Sequence, residues 1–328
     1  MAEGLGQSKE YFESFSRKTG FHRDTLEKVY RLLDLLKEIN NHPQLKNSLV
    51  LKGGTAINFI YFEFPRLSVD IDFNFIGGIA KEAKDIERVK TEKSLEDIFV
   101  FKKYRFMPEA GYGSQKYYLE YINSSGNKDR IKVEINFLHR LPLLGTIKQK
   151  LVTPFPGVKI KATVLKTEEL FAGKSVALMD RLATRDLYDI YNLKKKWISI
   201  NKIILRKLFI FYGCLSRKDF RQYKPTDIDR ITRQDIKEDL WPLLRKSELP
   251  DLKEMLDSVK PFLTQLFKYQ PEEKEYIENF FRGEFKPGLL FGILLEVKNL
   301  GKHPMVMWKQ THIKEWLKKQ HNKSRQIL

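Results

Sequence analysis

Two short segments carry most of the structural information in this chain: Leu49-Val-Leu-Lys-Gly-Gly-Thr55 and Val69-Asp-Ile-Asp-Phe-Asn-Phe75. In the first, the apolar run that ends at Leu51 predicts a buried strand. Gly53-Gly54 then predicts a tight turn into a helix that begins at Thr55 and ends before Pro65. Glycines at such a junction let the backbone approach a phosphate, and the helix N-terminus offers free N–H groups to it. The same turn is also common as simple chain geometry, so alone it does not establish a phosphate site.

The second segment alternates strictly between apolar and polar residues, which predicts a strand with one buried face. Asp70 and Asp72 then project together from the other face, roughly 7 Å apart at their Cα atoms. Like charges this close repel each other unless a cation lies between them. Carboxylate ligands of this kind suit Mg²⁺, with Mn²⁺ as a second candidate. The alternative is a strand whose solvent-facing side is merely acidic.

A third carboxylate follows the same pattern farther along the chain. Residues 131–137 alternate as well, which places Glu134 on a polar strand face. If this strand lies beside the first, Asp70, Asp72 and Glu134 converge and could hold two metal ions for phosphoryl transfer. A glutamate that simply faces solvent is the alternative.

A second block of charged residues lies on two predicted helices. Lys174 shares a helix face with apolar residues, so its charge requires an anion, either a triphosphate or the acidic cluster. A lysine that snorkels from the edge of the core is the alternative. Asp186 and Asp189 share the next helical face, and an ion pair with a neighbouring base is as consistent with their positions as a catalytic role. Arg66, just before the acidic strand, could grip a phosphate with both arms of its guanidinium group.

The spacing of apolar residues changes along the chain. Residues 9–40 have helical apolar spacing, residues 48–138 alternate short apolar runs with turn signals, and the chain beyond residue 166 is helical almost throughout. We therefore expect a bilobed α/β (α+β) protein. Residues 1–150 would form a lobe with a mixed sheet and a helical N-terminal leader, and residues 151–328 would form a mostly helical lobe that completes a groove.

The charge balance points to a polyanionic partner. The chain has 328 residues, with 60 Lys and Arg against 42 Asp and Glu, and a formal net charge of +18. Nucleic acid and an anionic membrane are both candidates, and a uniformly basic solvated surface is the alternative. Basic residues are concentrated in two regions, the connection around residues 148–166 and the segment 302–325. The second of these regions also contains tryptophans between its basic residues.

Other function classes are excluded or disfavoured by composition. The single cysteine, Cys214, excludes an intrachain disulfide and a thiolate-rich zinc site. No apolar run approaches the ~20 residues that span a bilayer, which predicts that no helix crosses a membrane. We expect no membrane partner. The first ten residues lack the basic and apolar regions of a secretory signal, which predicts a cytoplasmic protein.

Taken in order, these blocks resemble a known family. Leu51-Lys-Gly-Gly-Thr-Ala56 and Arg66-Leu-Ser-Val-Asp-Ile-Asp-Phe73 resemble the signature of DNA-polymerase-β-type nucleotidyltransferases. Together with Glu169-Leu-Phe-Ala-Gly-Lys174 and Arg185-Asp-Leu-Tyr-Asp189 they are similar, more closely, to the AbiEii/MenT toxin nucleotidyltransferases of toxin–antitoxin and abortive-infection systems. The resemblance covers about residues 48 to 195 and implies a polymerase-β-like fold for the first lobe.

The resemblance also implies roles for individual residues. Asp70 and Asp72 would bind metal, and Lys174 would match the essential lysine of the family. Asp186 or Asp189 would be its acidic partner. The expected nucleotide-binding residues are Gly53, Gly54, Thr55, Arg66, Ser68 and Lys174.

The sequence therefore predicts a Mg²⁺-dependent nucleotidyltransferase toxin that uses an NTP. The resemblance implies transfer to RNA, first of all to the 3′ end of tRNA, and a resulting block of translation. It also implies a separately encoded antitoxin as protein partner, and we expect a monomer. Two alternatives are a nucleotidyltransferase that modifies a small molecule such as an antibiotic, and a catalytically silent RNA-binding module.

Overall fold

The computed structural model describes residues 7–78, 80–196, 198–292 and 300–326. Side chains are described for the same residues, apart from Lys81 and residues 320–326. Residues 1–6, part of the segment that would carry a secretory signal, lie outside the described residues, and so do the side chains of the last bases of the segment 302–325.

A mixed seven-stranded sheet forms the centre of the described part, in the strand order β3-β4-β5-β2-β1-β7-β6. The strands are β1 Leu49–Lys52, β2 Asp70–Phe75, β3 Arg105–Ala110, β4 Ser114–Ile122, β5 Lys128–Asn136, β6 Thr146–Lys150 and β7 Lys161–Leu165. The β2–β5 and β1–β7 pairs are parallel, and the other pairs are antiparallel. The predicted α/β class with a mixed sheet is confirmed.

The described part of the chain contains thirteen α-helices. They are α1 Lys9–Thr19, α2 Arg23–Asn41, α3 Leu45–Ser48, α4 Gly53–Ala56, α5 Lys81–Phe101, α6 Thr167–Arg181, α7 Thr184–Lys195, α8 Lys202–Cys214, α9 Arg233–Asp235, α10 Leu252–Leu266, α11 Pro271–Phe281, α12 Pro287–Phe291 and α13 Pro304–Gln326. The helical stretch after β1 begins at Gly53, two residues before the predicted start. It continues beyond α4 as a π-helical turn, Ile57–Tyr61.

The central strands are buried on the face that alternation predicted. Ile71, Phe73 and Phe75 of β2 are at most 1% exposed, and Ile131, Val133 and Ile135 of β5 are fully buried beside them. Burying these six side chains stabilises the fold by the transfer of apolar surface from water, at about 25 cal/mol per Å². The polar residues between them consequently share the opposite face of the sheet.

The sheet extends past the predicted lobe boundary at residues 150 and 151. That boundary falls in the connection between β6 and β7, and β7 lies in the sheet between β1 and β6. Ala162 and Val164 of β7 are buried. The segment from β6 to β7 has the lysine-rich composition of a linker because its lysines occupy the exposed positions of the two strands.

Beyond β7 the described chain is helical, as predicted. Helices α6 and α7 are joined by only Leu182 and Ala183, and Leu182 has a left-handed φ of 53° that turns the chain back sharply. At the far end, Trp316 of α13 is 59% exposed, so this tryptophan does not dock the helix on the rest of the described chain. Among the described residues no helix combines the length and the apolarity needed to cross a bilayer.

Candidate active site

The three predicted carboxylates lie on adjacent strands. β2 and β5 run parallel, with Asp72 opposite Glu134 and Asp70 opposite Lys132 in the register. The strand pairing on which the three-acid prediction depended is therefore confirmed. Asp70 and Asp72 both lie on the polar face of β2, and Glu134 is on the same face because register partners in parallel strands project to the same side.

A cavity of about 410 Å³ opens over this face. Such a volume is within the range of pockets for small ligands and nucleotides. Helices α6, α7 and α8 close it opposite the sheet. Of the predicted site residues, it is lined by Gly53, Gly54, Arg66, Ser68, Asp70, Asp72, Glu134, Lys174 and Asp186. Thr55 and Asp189 lie behind its wall.

Both glycines of the motif are required by neighbouring side chains. Gly53 has a φ of +69°, and a Cβ there would lie 2.4 Å from Oδ2 of Asp72. A Cβ on Gly54 would lie 2.6 Å from Nη2 of Arg66 and 3.0 Å from Oγ of Ser68. The glycines thus leave room for the side chains of the site, whereas phosphate contact at this turn stays a prediction.

Thr55 and Ser68 connect the first helical turn to β2. The Thr55 hydroxyl lies 3.0 Å from the Ser68 hydroxyl and is hydrogen-bonded to the backbone carbonyl of Asp70. Thr55 is 1% exposed. Its hydroxyl therefore holds the start of β2 against the first helical turn, and nucleotide contact by Thr55 stays a prediction.

Arg66 is engaged by Asp189, 123 residues away along the chain. Its Nε and Nη2 donate to the two carboxylate oxygens of Asp189 at 2.8 and 2.7 Å. Asn58 donates to the same carboxylate at 3.0 Å. This bidentate pair uses the Nε and Nη2 groups of the guanidinium, and phosphate contact by Arg66 stays a prediction.

Lys174 joins this buried network to the cavity. Its Nζ lies 2.7 Å from Asp186 and 3.0 Å from Asp189, and the two carboxylates are fully buried. The anion that Lys174 requires is therefore supplied by both aspartates of the second block. The tight α6–α7 turn brings these aspartates beneath the lysine. Arg181 completes the network, since its Nε donates a 2.7 Å hydrogen bond to Asp186.

The ion pairs control the charge state of the two aspartates. Burial alone would raise the pKa of Asp189, but the positive charges of Arg66 and Lys174 outweigh it and lower that pKa. Burial likewise opposes ionisation of Asp186, and Lys174 and Arg181 lower its pKa far below the ordinary value. Both groups are thus carboxylates at neutral pH, and neither is suited to give or take a proton there.

Four basic side chains that no sequence motif marked as site residues surround the three-acid face. They are Lys52, Lys132, Arg181 and Arg185. Lys132 lies 3.2 Å from Glu134, and Arg185 lies 3.6 Å from Asp70. Burial works against the charge of Lys132, but the three carboxylates outweigh it and raise its pKa. Alternation along β5 could have revealed Lys132, whereas the two arginines reach the acids only through the fold.

The donor chemistry at Asp70 and Asp72 fits a hard divalent cation. Burial, with a smaller contribution from the charge of Asp72, raises the pKa of Asp70 although Lys132 opposes the shift. A cation between the two carboxylates would remove this repulsion. Within the described ranges no three His, Cys, Asp or Glu side chains are grouped closely enough to hold a metal ion. Glu134 is paired with Lys132 at 3.2 Å, and a ligand set that includes this third carboxylate stays a prediction.

The helical end of the cavity contains a second buried carboxylate. Glu169 of α6 accepts hydrogen bonds from the backbone N–H groups of Leu143 and Leu144, both at 2.9 Å, and from the Tyr212 hydroxyl. Burial raises its pKa despite these bonds. Tyr212 and His139 line the cavity beside it. Sequence alone indicated only an acid in the first turn of α6.

Comparison with known proteins gives one family and one fold. Residues 34–265 match the family model described as "Nucleotidyl transferase AbiEii toxin, Type IV TA system". None of the curated proteins matches the chain. The solved structure of the nucleotidyltransferase toxin MenT4 from Mycobacterium tuberculosis is similar, with a TM-score of 0.54 and 15% identity, over 83% of this chain and 94% of that chain. A provisionally assigned nucleotidyltransferase from H. pylori aligns with a TM-score of 0.48 and 18% identity, over 76% and 96% of the two chains.

Proposed function

This chain belongs to the AbiEii nucleotidyltransferase toxin family of type IV toxin–antitoxin systems, as its motifs predicted, and on that premise we propose its reaction. It transfers a nucleoside monophosphate from an NTP to the 3′ hydroxyl of an RNA, and tRNA is the acceptor. The 3′ oxygen bonds to the α-phosphorus, the bond from that phosphorus to the β-phosphate oxygen breaks, and pyrophosphate leaves. A tRNA extended in this way cannot be aminoacylated normally, so translation stops.

The pair Asp70 and Asp72 carries the proposal. Two adjacent carboxylates at the floor of a cavity lined with cations are suited to phosphoryl transfer and poorly suited to a purely structural role. They are the residues that would hold the divalent ion, Mg²⁺ or Mn²⁺, with Glu134 as a third carboxylate on the adjoining strand. Such an ion supplies charge neutralisation for the phosphates and activation of the attacking hydroxyl.

The cations of the cavity would bind the triphosphate. Lys174, Arg181 and Arg185 lie on the helical side, opposite the acids, where a bound triphosphate would lie between the two groups. Asp186 and Asp189 position the Lys174 ammonium group, and Arg66 in turn positions Asp189. Preorganised charges of this kind need no rearrangement when negative charge develops on the leaving pyrophosphate.

The acceptor and the setting are inferred from charge and family. The formal net charge of +18 supports a polyanionic acceptor, which a small-molecule substrate would not require. An enzyme that modifies tRNA would act in the cytoplasm. The toxin–antitoxin assignment of the family supports an antitoxin that restrains the activity.

The proposal is tested by incubating the protein with tRNA, Mg²⁺ and each of the four α-³²P-labelled NTPs in turn. We expect label on the tRNA with at least one NTP. Transfer to tRNA whose terminal ribose diol has been oxidised with periodate should be absent, since that treatment removes the 3′ hydroxyl. If no NTP labels any RNA, while label appears on a small molecule, the acceptor class is wrong.

A further inference from the structure

A second cavity, of about 540 Å³, lies at the edge of the sheet. We call it the lysine cavity because its lining contains Lys37, Lys46, Lys148, Lys150, Lys159 and Lys161. Its other lining residues are Asn40, Asn41, Ile160, Ala162 and Thr163, so no acidic side chain faces it. All six lysines are exposed.

The positive charges of the lysine cavity are not neutralised within the described part of the chain, where none of the six amines takes part in an ion pair. The two acids that flank Lys37 on α2 are already engaged elsewhere. Asp34 and Glu38 lie 2.9 and 2.8 Å from Nζ of Lys102. Six uncompensated amines in one concave surface repel each other, and a bound polyanion would relieve that repulsion.

The sheet connects this cavity to the candidate active site. Leu51 of β1 is in register with Val164 of β7, so Lys161 and Thr163 project to the same side as Lys52 and Asp72. Lys150 pairs with Lys161 across the β6–β7 hairpin and shares that side. Leu165, at the other end of β7, lines the active-site cavity. Lys161 and Leu165 are therefore about 13 Å apart along this strand, at 3.3 Å per residue.

We propose that the lysine cavity binds the phosphodiester backbone of the RNA acceptor while its 3′ end lies over Asp70 and Asp72. The inference rests on the proposed function in taking RNA as the acceptor. Because β7 is two strands away from β2, only phosphates several nucleotides from a 3′ end held over Asp70 and Asp72 would reach these lysines. Lysines act as point charges without the planar fork of arginine, which suits contacts that hold a backbone irrespective of base sequence.

The other polyanion classes fit the lining less well. A lipid surface requires exposed apolar side chains beside the bases, and the apolar residues of this lining, Ile160 and Ala162, are 3% and 1% exposed. The experiment that follows also distinguishes two other possible ligands, an acidic protein surface and a free polyphosphate.

The test compares two triple variants that remove the same charge. In Lys148→Gln/Lys150→Gln/Lys161→Gln the substitutions lie in the lysine cavity. The matched control, Lys253→Gln/Lys268→Gln/Lys274→Gln, changes exposed lysines on or next to helices α10 and α11. Binding of tRNA is measured without NTP over a range of salt concentrations. For the cavity variant we expect Kd to rise roughly tenfold or more, and the slope of log K against log salt to fall in magnitude by about 2 to 3, since each phosphate contact contributes about 0.9. The control should change by less than about twofold.

Catalysis is then used as a separate readout. With labelled NTP, the cavity variant should lose transfer to full-length tRNA by a factor roughly tenfold larger than its loss on a trinucleotide with the same 3′ end, which cannot reach the lysines. Equal losses on the two acceptors would overturn the proposal. Equal tRNA affinity of the two triple variants would also overturn it. The same holds if the cavity variant keeps its tRNA binding and loses only binding of inorganic pyrophosphate, of vesicles of phosphatidylcholine and phosphatidylserine, or of an acidic protein. If wild-type protein binds tRNA through these lysines but labels no RNA, the lysine cavity stands and the proposed reaction fails.

Discussion

Asp72 and Gly53 share a space that admits only one side chain. A Cβ on residue 53 would lie only 2.4 Å from Oδ2 of Asp72, and Gly53 adopts a positive φ that other residues rarely tolerate. The motif Gly-Gly is therefore coupled to Asp-x-Asp by direct contact, although the two lie in separate segments of the chain. That coupling explains why the two segments together predict more than either segment alone.

Replacing Asp70 or Asp72 with asparagine tests the proposed metal-binding pair. We expect nucleotidyl transfer to fall by on the order of 10²–10³ or more, because the charge that would hold the cation is lost. Binding of tRNA should be unchanged or tighter, since a repelling charge is removed. Single-turnover transfer and gel-shift binding are the measurements. Asp257→Asn, at an exposed position on α10, is the control, and wild-type transfer by Asp70→Asn would overturn the assignment.

Gly53→Ala should impair the site beyond its effect on stability. The left-handed φ costs about 1–2 kcal/mol for a residue with a Cβ, and the new methyl group would displace the Asp72 carboxylate. Gly126→Ala is a matched control, because Gly126 has a φ of +83° with nothing within 4 Å of the added Cβ. Thermal unfolding should show losses of comparable order in both, and only Gly53→Ala should lose transfer. Equal activity of the two variants would show that the carboxylate tolerates displacement.

Helices α6 and α7 form a buried ionic wall behind the active-site cavity. Asp189 is tied to Arg66, Lys174 and Asn58, and Asp186 to Lys174 and Arg181. Buried ion pairs of this kind contribute little net stability, but they hold charges in fixed positions, and losing one partner leaves an uncompensated charge in the interior. The wall therefore orients Lys174, and the loss of any one of its charged side chains should destabilise it.

Asp189→Asn should consequently destabilise the protein strongly. Removing one partner of a buried pair costs about 3–5 kcal/mol, whereas Asp97→Asn, which breaks the exposed pair with Lys93, should cost less than about 1 kcal/mol. Urea unfolding followed by circular dichroism measures both changes. A loss at Asp189 as small as that at Asp97 would mean that the network contributes nothing beyond packing.

The destabilisation caused by Asp189→Asn should depend on pH in a direction that the pKa of Asp189 determines. The folded-state pKa of Asp189 is lowered below its unfolded value of about 3.9. The ionised carboxylate therefore stabilises the fold fully above that value, and its contribution is lost as pH falls through the folded-state pKa. The difference in unfolding free energy between wild type and Asp189→Asn should be constant from pH 7 to about pH 5 and should shrink below about pH 4. A difference that instead grows on acidification would contradict the assigned shift.

For the whole molecule, the proposed reaction predicts how translation is inhibited. In a cell-free translation system the wild-type protein with its NTP should stop synthesis, because the tRNA pool is consumed. Fresh tRNA should restore synthesis in proportion to the amount added, and fresh ribosomes should not. Asp70→Asn protein at the same concentration is the control. Restoration by ribosomes would place the damage on the wrong RNA for this proposal.

Periodicity specified much of this molecule from amino-acid order alone. A strand buries alternate side chains, so the polar face with Asp70, Asp72 and Glu134 was predictable, and helical apolar spacing predicted the second half of the chain. These are local properties, and burial of the apolar face leaves each strand little choice of orientation.

Only the tertiary structure decided which charges meet. Arg66 pairs with an aspartate 123 residues away, and Arg185 reaches Asp70 across the cavity. The lysine cavity draws its bases from α2, α3 and the β6–β7 hairpin. Pairing between distant segments depends on how the elements pack, and sequence spacing carries no information about the contact. The alternation along β2 thus placed the acids, whereas the partners of those acids and the second cationic surface came from the packing of the whole chain.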